Sequence, residues 1–398
     1  MTTRSFSDLG VSRAVVDALK KRGVDAPFPI QSLVMEDAIA GLDVLAKSQT
    51  GSGKTLAFAI PIVERVSSGG ATPSALVLVP TRELAQQVAD DFAPIAKAKG
   101  LKMGVAYGGT SVKEQGKGAA RADVLIATPG RLEDLATRGM VKLGDVRILV
   151  LDEADRMLDM GFQPQVDKLV RRMPKERQTM FFSATLDGAV GHLARAYTRE
   201  AVLHTVASDH RTVEEVDHQF ISVSAQGKVE ALVELLAKER ELTLVFVRTK
   251  RGADRLVHKL KAKGLRVDAL HGDMTQPARQ RALQRFETGK VDVLVATDVA
   301  ARGLDLERIS HVVNYDPPED DKAYVHRVGR TARAGRSGTG VTLVTAEQQG
   351  DVGRMAARLD LHDEFQVEGM KVAPPRVVFS GARGGRRSSL RKPARRKF

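Results

Sequence analysis

Two short segments of this sequence occur twice, in the same order and at nearly the same spacing. Leu76-Val77-Leu78-Val79-Pro80-Thr81-Arg82 returns as Leu244-Val245-Phe246-Val247-Arg248-Thr249-Lys250, 168 residues later. Asp123-Val124-Leu125-Ile126-Ala127-Thr128 returns as Asp292-Val293-Leu294-Val295-Ala296-Thr297, 169 residues later. One such match between apolar strands is unremarkable, but two in register suggest the same domain built twice. The length agrees, since 398 residues exceed what one core organises and suit two domains. In each copy short, continuous apolar runs lead into helical patterns, as Ala75 to Val79 does before Glu83-Leu84-Ala85. That alternation marks strands buried on both faces of a parallel α/β sheet. Chemistry in such sheets collects at the carboxyl ends of the strands. The expected division is a first domain over residues 1–207, a polar linker over 208–217, a second domain over 218–368 and a basic, disordered tail over 369–398.

Val44-Leu45-Ala46 is a short strand followed by Lys47-Ser48-Gln49-Thr50-Gly51-Ser52-Gly53-Lys54-Thr55 and a helical run. This is a P-loop in its strand–loop–helix setting, with Ser48 where the general pattern has glycine. Gly51 and Gly53 let backbone N–H groups turn toward phosphate oxygens at a helix N-terminus. Lys54 reaches the β- and γ-phosphates and the Thr55 hydroxyl holds Mg²⁺. Ninety-eight residues after Lys54, the buried strand Arg147 to Leu151 ends in Asp152-Glu153-Ala154-Asp155. A strand-end carboxylate facing a P-loop suits a Mg²⁺ ligand, here Asp152, with Glu153 orienting and deprotonating the attacking water. Asp155 is expected to hold neighbouring backbone or hydroxyl groups.

Asp152-Glu153-Ala154-Asp155 is the signature of the DEAD-box ATP-dependent RNA helicases, and the chain resembles that family over about residues 6 to 345. Pro80-Thr81-Arg82-Glu83-Leu84-Ala85, Gly108-Gly109, Thr128-Pro129-Gly130-Arg131 and Ser183-Ala184-Thr185 match its motifs in the first half. Gln276 with Arg279, Ala296-Thr297-Asp298 through Asp305, and His326-Arg327-Val328-Gly329-Arg330-Thr331-Ala332-Arg333 match in the second. The short core and Arg-rich end look most like the bacterial RhlE-type group. The resemblance implies two tandem RecA-like domains and one ATP with Mg²⁺. It also implies an adenine-reading segment in which Gln31 bonds the base edge and Phe6 is the upstream aromatic. Val24 stands where the family usually has a stacking ring, and Phe28, where Thr is common, is expected in packed core. Arg330 and Arg333 resemble arginine fingers supplied by the second domain, so hydrolysis requires closure, and Asp305 resembles the ribose contact. Ser183, Thr185 and Asp155 look like the link between ATP and RNA. Pro80, Thr81, Arg82, Gly108, Gly109, Thr128, Gly130 and Arg131 would meet single-stranded RNA from the first domain, and Arg248, Gly272, Arg279 and Thr297 from the second. Hydroxyls, glycines and arginines bind phosphates and 2′-hydroxyls, so sequence specificity is expected to be low. The family function is local unwinding of short duplexes or remodelling of RNA–protein complexes; an ATP-gated RNA clamp without unwinding is the alternative.

Cysteine is absent, which excludes disulfides, thiolate metal sites and a cysteine nucleophile and fits a cytoplasmic protein. No apolar run approaches a membrane span, and the start has no signal-like apolar segment. Ribosome-assembly or RNA-decay proteins are the partners the resemblance suggests besides RNA. The formal charge is +13, and nine basic and no acidic residues lie between Pro374 and Phe398, leaving +4 on residues 1–373. Arg383-Gly384-Gly385-Arg386-Arg387 reads equally as a segment that holds RNA loosely and as a solubilising end. Deleting residues 374–398 separates the two. An RNA-holding tail loses affinity and flattens the salt dependence of binding by about 0.7 per lost phosphate contact on single strands, whereas a solubilising tail leaves the slope unchanged.

Overall fold

A computed structural model describes residues 4–48, 52–206, 216–237, 241–301, 306, 308–332, 337–366 and 369–370. Thirteen strands are present among them: β1 (Val44–Lys47), β2 (Ala75–Leu78), β3 (Met103–Ala106), β4 (Val124–Ala127), β5 (Ile148–Leu151), β6 (Gln178–Ser183), β7 (Val202–Thr205), β8 (Val216–Ser222), β9 (Leu242–Phe246), β10 (Val267–Leu270), β11 (Val293–Ala296), β12 (Ile309–Asn314) and β13 (Gly338–Val344). They form two sheets, ordered β3-β4-β2-β5-β6-β1-β7 and β10-β11-β9-β12-β13-β8. Every pairing is parallel.

The internal repeat is visible in this order. Strands β2 and β4 are neighbours in the first sheet with Leu78 opposite Ala127, and β9 and β11 are neighbours in the second with Phe246 opposite Ala296. These are the residues that the two sequence offsets equate. The copies share details beyond the strands. Thr81 and Thr249 each cap the helix that follows, their hydroxyls accepting from the Leu84 and Gly252 N–H groups, the bond that satisfies an orphan donor of the first turn. Strands β2, β4 and β5 are buried throughout because helices cover both faces. One apolar cluster forms on each side of the first sheet, with Phe58 and Phe182 meeting edge to face on one of them (centroids 5.4 Å apart).

Two boundaries differ from the sequence reading. The second sheet begins at Val216, inside the expected linker, because Val216 packs with Phe220 and Tyr324. Met370, expected in the tail, is 3% exposed beside Phe365, its apolar side chain belonging to the folded body. Residues 371–398 of the expected tail, residue 207 and residues 208–215 of the expected linker lie outside the described residues.

The two halves meet through an ion pair. Arg279 Nε donates to Glu83 Oε1 at 2.7 Å, each side chain 8% exposed, and Arg279 also donates to the His271 carbonyl. Removing one member of a buried pair leaves an uncompensated charge at a cost of about 3–5 kcal/mol. In Glu83→Ala the halves are therefore expected to separate. A fluorophore pair placed across the cleft would read lower transfer efficiency than in the parent, with the helical circular dichroism unchanged. Unaltered transfer would show that other contacts hold the halves together.

Candidate nucleotide and nucleic-acid site

The strand order sorts the sequence motifs into two groups. Ser48, Asp152 and Ser183 follow or end β1, β5 and β6, three adjacent strands of the first sheet. Arg82, Gly108-Gly109 and Thr128 follow β2, β3 and β4, the three adjacent strands on the other side. In the chain the second group interrupts the first, since β2, β3 and β4 fall between β1 and β5; only the sheet brings β1 back beside β5 and β6.

At the first group the chain turns from β1 through Ser48 toward the helix Lys54–Arg65. Gly53 sits at φ 82, the left-handed region that glycine adopts without strain. A Cβ there would lie 2.6 Å from Gln31 Nε2, so close approach also demands glycine. Lys54 Nζ donates to the Ser48 carbonyl at 3.1 Å, the Ser52 hydroxyl to the Ser48 hydroxyl at 3.1 Å, and the Ser48 N–H to the Ser183 carbonyl at 3.0 Å. Thr55 is half-buried on the helix's first turn. Gln49, Thr50 and Gly51 lie outside the described residues.

Lys54, Asp152, Glu153, Asp155 and Arg156 are all buried, each 7% exposed or less. Glu153 occupies the left-handed region at φ 51, ψ 48, a conformation that costs a non-glycine residue on the order of 1–3 kcal/mol and collects at functional sites. Its N–H donates to Asp152 Oδ1 at 2.9 Å, and Arg156 donates to its carboxylate. Burial by itself would raise the Glu153 pKa, but the charges of Arg156, Lys54 and Arg330 outweigh it and hold the carboxyl below its ordinary value. Asp152 goes the other way. Burial and the adjacent Glu153 charge push it up to about 6 against the opposing pull of Lys54. Arg330, 4% exposed, thus acts on Glu153 from the other half of the molecule. Arg333 and Asp305 lie outside the described residues. The Ser183 hydroxyl accepts from the Thr185 N–H at 3.3 Å, so this turn touches the phosphate loop through its backbone.

Three residues of the adenine-reading segment are placed differently from expectation. Phe6 is 2% exposed within the cluster containing Ile30 and Val34, so its ring has no face open to a ligand. Gln31 has 0% exposure and bridges the segment to the loop, accepting from the Phe28 N–H at 3.0 Å and donating to the Gly53 carbonyl at 2.8 Å. Phe28, expected in the core, is 53% exposed. Its ring lies against the place where a Gly53 side chain would stand, and Gly53 spares the room.

In the second group Arg82 lies over the Gly108-Gly109 backbone. A Cβ on Gly109, at φ 88, would be 2.3 Å from the Arg82 guanidinium, which reaches Gln276 of the other half at 3.5 Å. Arg131 donates to Gln115 Oε1 and to the Thr110 carbonyl. Pro80, Thr81 and Thr128 are buried, and Gly130 is exposed on the helix beginning at Pro129. From the second half, Arg248, Gly272 and Thr297 follow β9, β10 and β11, the adjacent trio that repeats the first. Arg248 and Gly272 are exposed and Thr297 is buried. Arg279, expected to face RNA, is taken up by Glu83. Sequence reading missed that pair and the Arg156 partner of Glu153. The i,i+3 spacing of Glu153 and Arg156 was a usable signal, whereas nothing local joins Glu83 to a residue 196 positions away. It also missed Arg327, whose guanidinium holds both Asp298 oxygens at 2.6 Å and the Asn314 side chain at 3.0 Å, three residues before Arg330.

Comparison with known proteins agrees with this arrangement. The DEAD/DEAH box helicase family matches residues 28–192 and the helicase conserved C-terminal domain residues 227–335. The DEAD-box ATP-dependent RNA helicase CshA of Geobacillus kaustophilus is 40% identical over 354 residues, 88% of this chain and 75% of that protein. The chain spans 66% of the CshA from Streptococcus pneumoniae, also at 40% identity. The structure of S. cerevisiae Dbp5 bound to RNA and ADP BeF3 superposes with a TM-score of 0.81 at 31% identity, covering 90% of this chain and 94% of that one. A score of that size over both sheets is a match of their arrangement as well as of each fold. Two RecA-like parallel sheets, a phosphate loop facing a buried Asp-Glu-Ala-Asp, and relatives this similar over nine-tenths of the chain place it in the family of DEAD-box ATP-dependent RNA helicases.

Proposed function

We propose that the chain hydrolyses one ATP each time its halves close on RNA, and uses closure to separate short duplexes or remodel RNA–protein complexes. The observation that carries this reading is that buried Arg330 of the second half lies near enough for its charge to act on Glu153 of the first, on the nucleotide side of a sheet whose other side gathers the RNA motifs.

ATP phosphates lie at Gly53 and the helix beginning at Lys54, whose ammonium pairs with the β- and γ-oxygens. The donor set beside them is all oxygen, the Thr55 hydroxyl and the buried Asp152 carboxylate. That suits Mg²⁺, which takes one or two protein ligands with phosphate oxygens and water. Bound there, Mg²⁺ would neutralise charge developing on the phosphates. Glu153, ionised at neutral pH and fixed by Arg156, orients the attacking water and accepts its proton as the new P–O bond forms and the bond to ADP breaks. Arg330 places fixed positive charge on the transferring oxygens, with Arg333 assigned beside it and Asp305 to the ribose. Gln31 and Phe6 serve base selection indirectly, by bracing the loop and packing behind it. Arg82, Gly108, Gly109, Thr128, Gly130, Arg131, Arg248, Gly272 and Thr297 present guanidinium, hydroxyl and backbone groups to the RNA backbone, with Pro80 and Thr81 shaping the turn and Arg279 locking the halves. Ser183, Thr185 and Asp155 are assigned to the link between ATP and RNA, with Ser183 anchored on the nucleotide side by its carbonyl, which accepts from the Ser48 N–H. ATP and RNA that both favour the closed state each tighten the other's binding. The relatives described above carry the CshA name, and placement near the RhlE-type group rests on the short core and Arg-rich end alone. Among the described residues no helix is long and apolar enough to cross a membrane, which accords with work on cytoplasmic RNA.

Three measurements test this. ATP turnover is expected to rise with single-stranded RNA and not with DNA of matched length, and Glu153→Gln to lower it by about 10²–10⁴-fold. Stimulation by DNA equal to that by RNA would make the substrate class wrong. Arg330→Ala is expected to lower turnover about 10³–10⁵-fold while ATP still binds, read by a fluorescent nucleotide. A variant that turns over normally would remove the arginine-finger assignment. Strand displacement on a short RNA duplex separates a helicase from a clamp.

A further inference from the structure

The cleft accounts for only part of the cationic surface. Residues 248–290 hold twelve Lys or Arg against four Asp or Glu. Residues 1–373 as a whole carry only +4, so the rest of that body is net acidic and the surplus is localised. The segment folds as the helix Lys250–Ala262, the edge strand β10 and the helix Gln276–Glu287, with both helices packed on β10. On the first helix Arg251, Arg255 and Lys259 recur every fourth residue, and Lys263 continues the interval past its end; all four are exposed. Four residues advance about 6 Å along a helix and keep one face, so the four cations form a line about 18 Å long. Core packing does not require them, because Ala253, Leu256, Val257 and Leu260 bury the opposite face. Like charges at i,i+4 oppose the helix, and the helix's one carboxylate, Asp254, is turned to His271 at 2.9 Å. Arg255, Lys259 and Lys263 make no ion pair among the described residues. The repulsion is therefore not relieved within the described fold.

The line starts where the cleft ends. Arg248 and Lys250 stand at the carboxyl end of β9, immediately before Arg251, so a polyanion leaving the cleft on that side meets Arg251 next. We propose that Arg251, Arg255, Lys259 and Lys263 form a second phosphate track, which holds RNA extending beyond the segment gripped in the cleft. The inference deepens the RNA-binding reading of the cleft and rests on it.

The full chain and its Arg255→Gln/Lys259→Gln variant would be titrated with two RNAs by fluorescence anisotropy across a salt series. One is just long enough to saturate ATP turnover; the other is extended by a uridine run at either end. The variant is expected to lose about tenfold in affinity for the extended RNA, with a salt slope flatter by about 1.4 for two contacts on a single strand. Its affinity for the short RNA and its saturated ATP turnover should equal the parent's. An unchanged extended-RNA affinity overturns the track, as does an equal loss on both RNAs. Binding of polyglutamate that the variant loses while extended RNA stays bound would assign the line to an acidic protein and also overturn it. Failure of the parent to bind the short RNA would instead sink the cleft reading. The track, which continues that cleft, would fall with it.

Discussion

Two adjacent carboxylates, Asp152 and Glu153, are buried at the end of β5. Charges removed from water are costly unless paired, and the surrounding residues supply the compensation. Lys54 arrives from the phosphate loop, Arg156 from the same short helix, and Arg330 from the other half of the molecule. The balance is uneven. Glu153 has enough positive charge around it to stay ionised, while Asp152 is pushed up toward neutrality until a further cation joins it. A divalent cation held by Asp152 would offset the burial of that carboxylate, and one cation of Glu153's set, Arg330, comes from the second half. In the proposed reading, the energetics of the acidic pair would couple nucleotide binding to the position of that half.

The Glu83–Arg279 pair repeats this logic on the nucleic-acid side. It is buried between the halves, and Arg82, next in the chain to Glu83, reaches Gln276, three residues before Arg279. Contacts across the cleft therefore grow from the same short segments that carry the RNA motifs. In the proposed reading, a strand seated on those segments and a nucleotide at β1, β5 and β6 would act on one interface from its two ends, which is the requirement for each to favour the closed arrangement. Arg327 supports the nucleotide end from behind, spending its whole guanidinium on Asp298, Asn314 and the Asp316 carbonyl, so that the backbone leading to Arg330 is held.

Much of the fold was legible because its signals are local. Continuous apolar runs such as Ile148 to Leu151 read directly as strands buried on both faces, and the repeated segments proved to be equivalent strand pairs with equivalent register. The phosphate loop and the acidic strand end were legible because each is a contiguous motif whose chemistry fixes its residue types. What was misread depended on neighbours distant in sequence. Arg279 was expected at RNA because, with Gln276, it matches a motif of the family, and only the approach of Glu83 buries it. Phe28 looked like core because a phenylalanine usually is, yet the bracing of Gln31 against Gly53 leaves its ring at the surface. Met370 looked like tail by the composition that follows it, and the pocket beside Phe365 claims it.

By itself, the sequence determined that this chain has two like α/β halves, that one holds a phosphate loop, and that an acidic strand end waits for a cation, since strand burial, glycine turns and motif chemistry are all written within about ten residues. Tertiary structure decided which motifs stand together. Parallel strand order places β1 beside β6 and β5, although β2, β3 and β4 lie between them in the chain, and no local preference encodes that order. It also decided which charges are paired, because the partner of Glu83 and a neighbour of Glu153 come from the other half of the molecule. A charge's solvation, and with it its function, is set by what is packed against it in space.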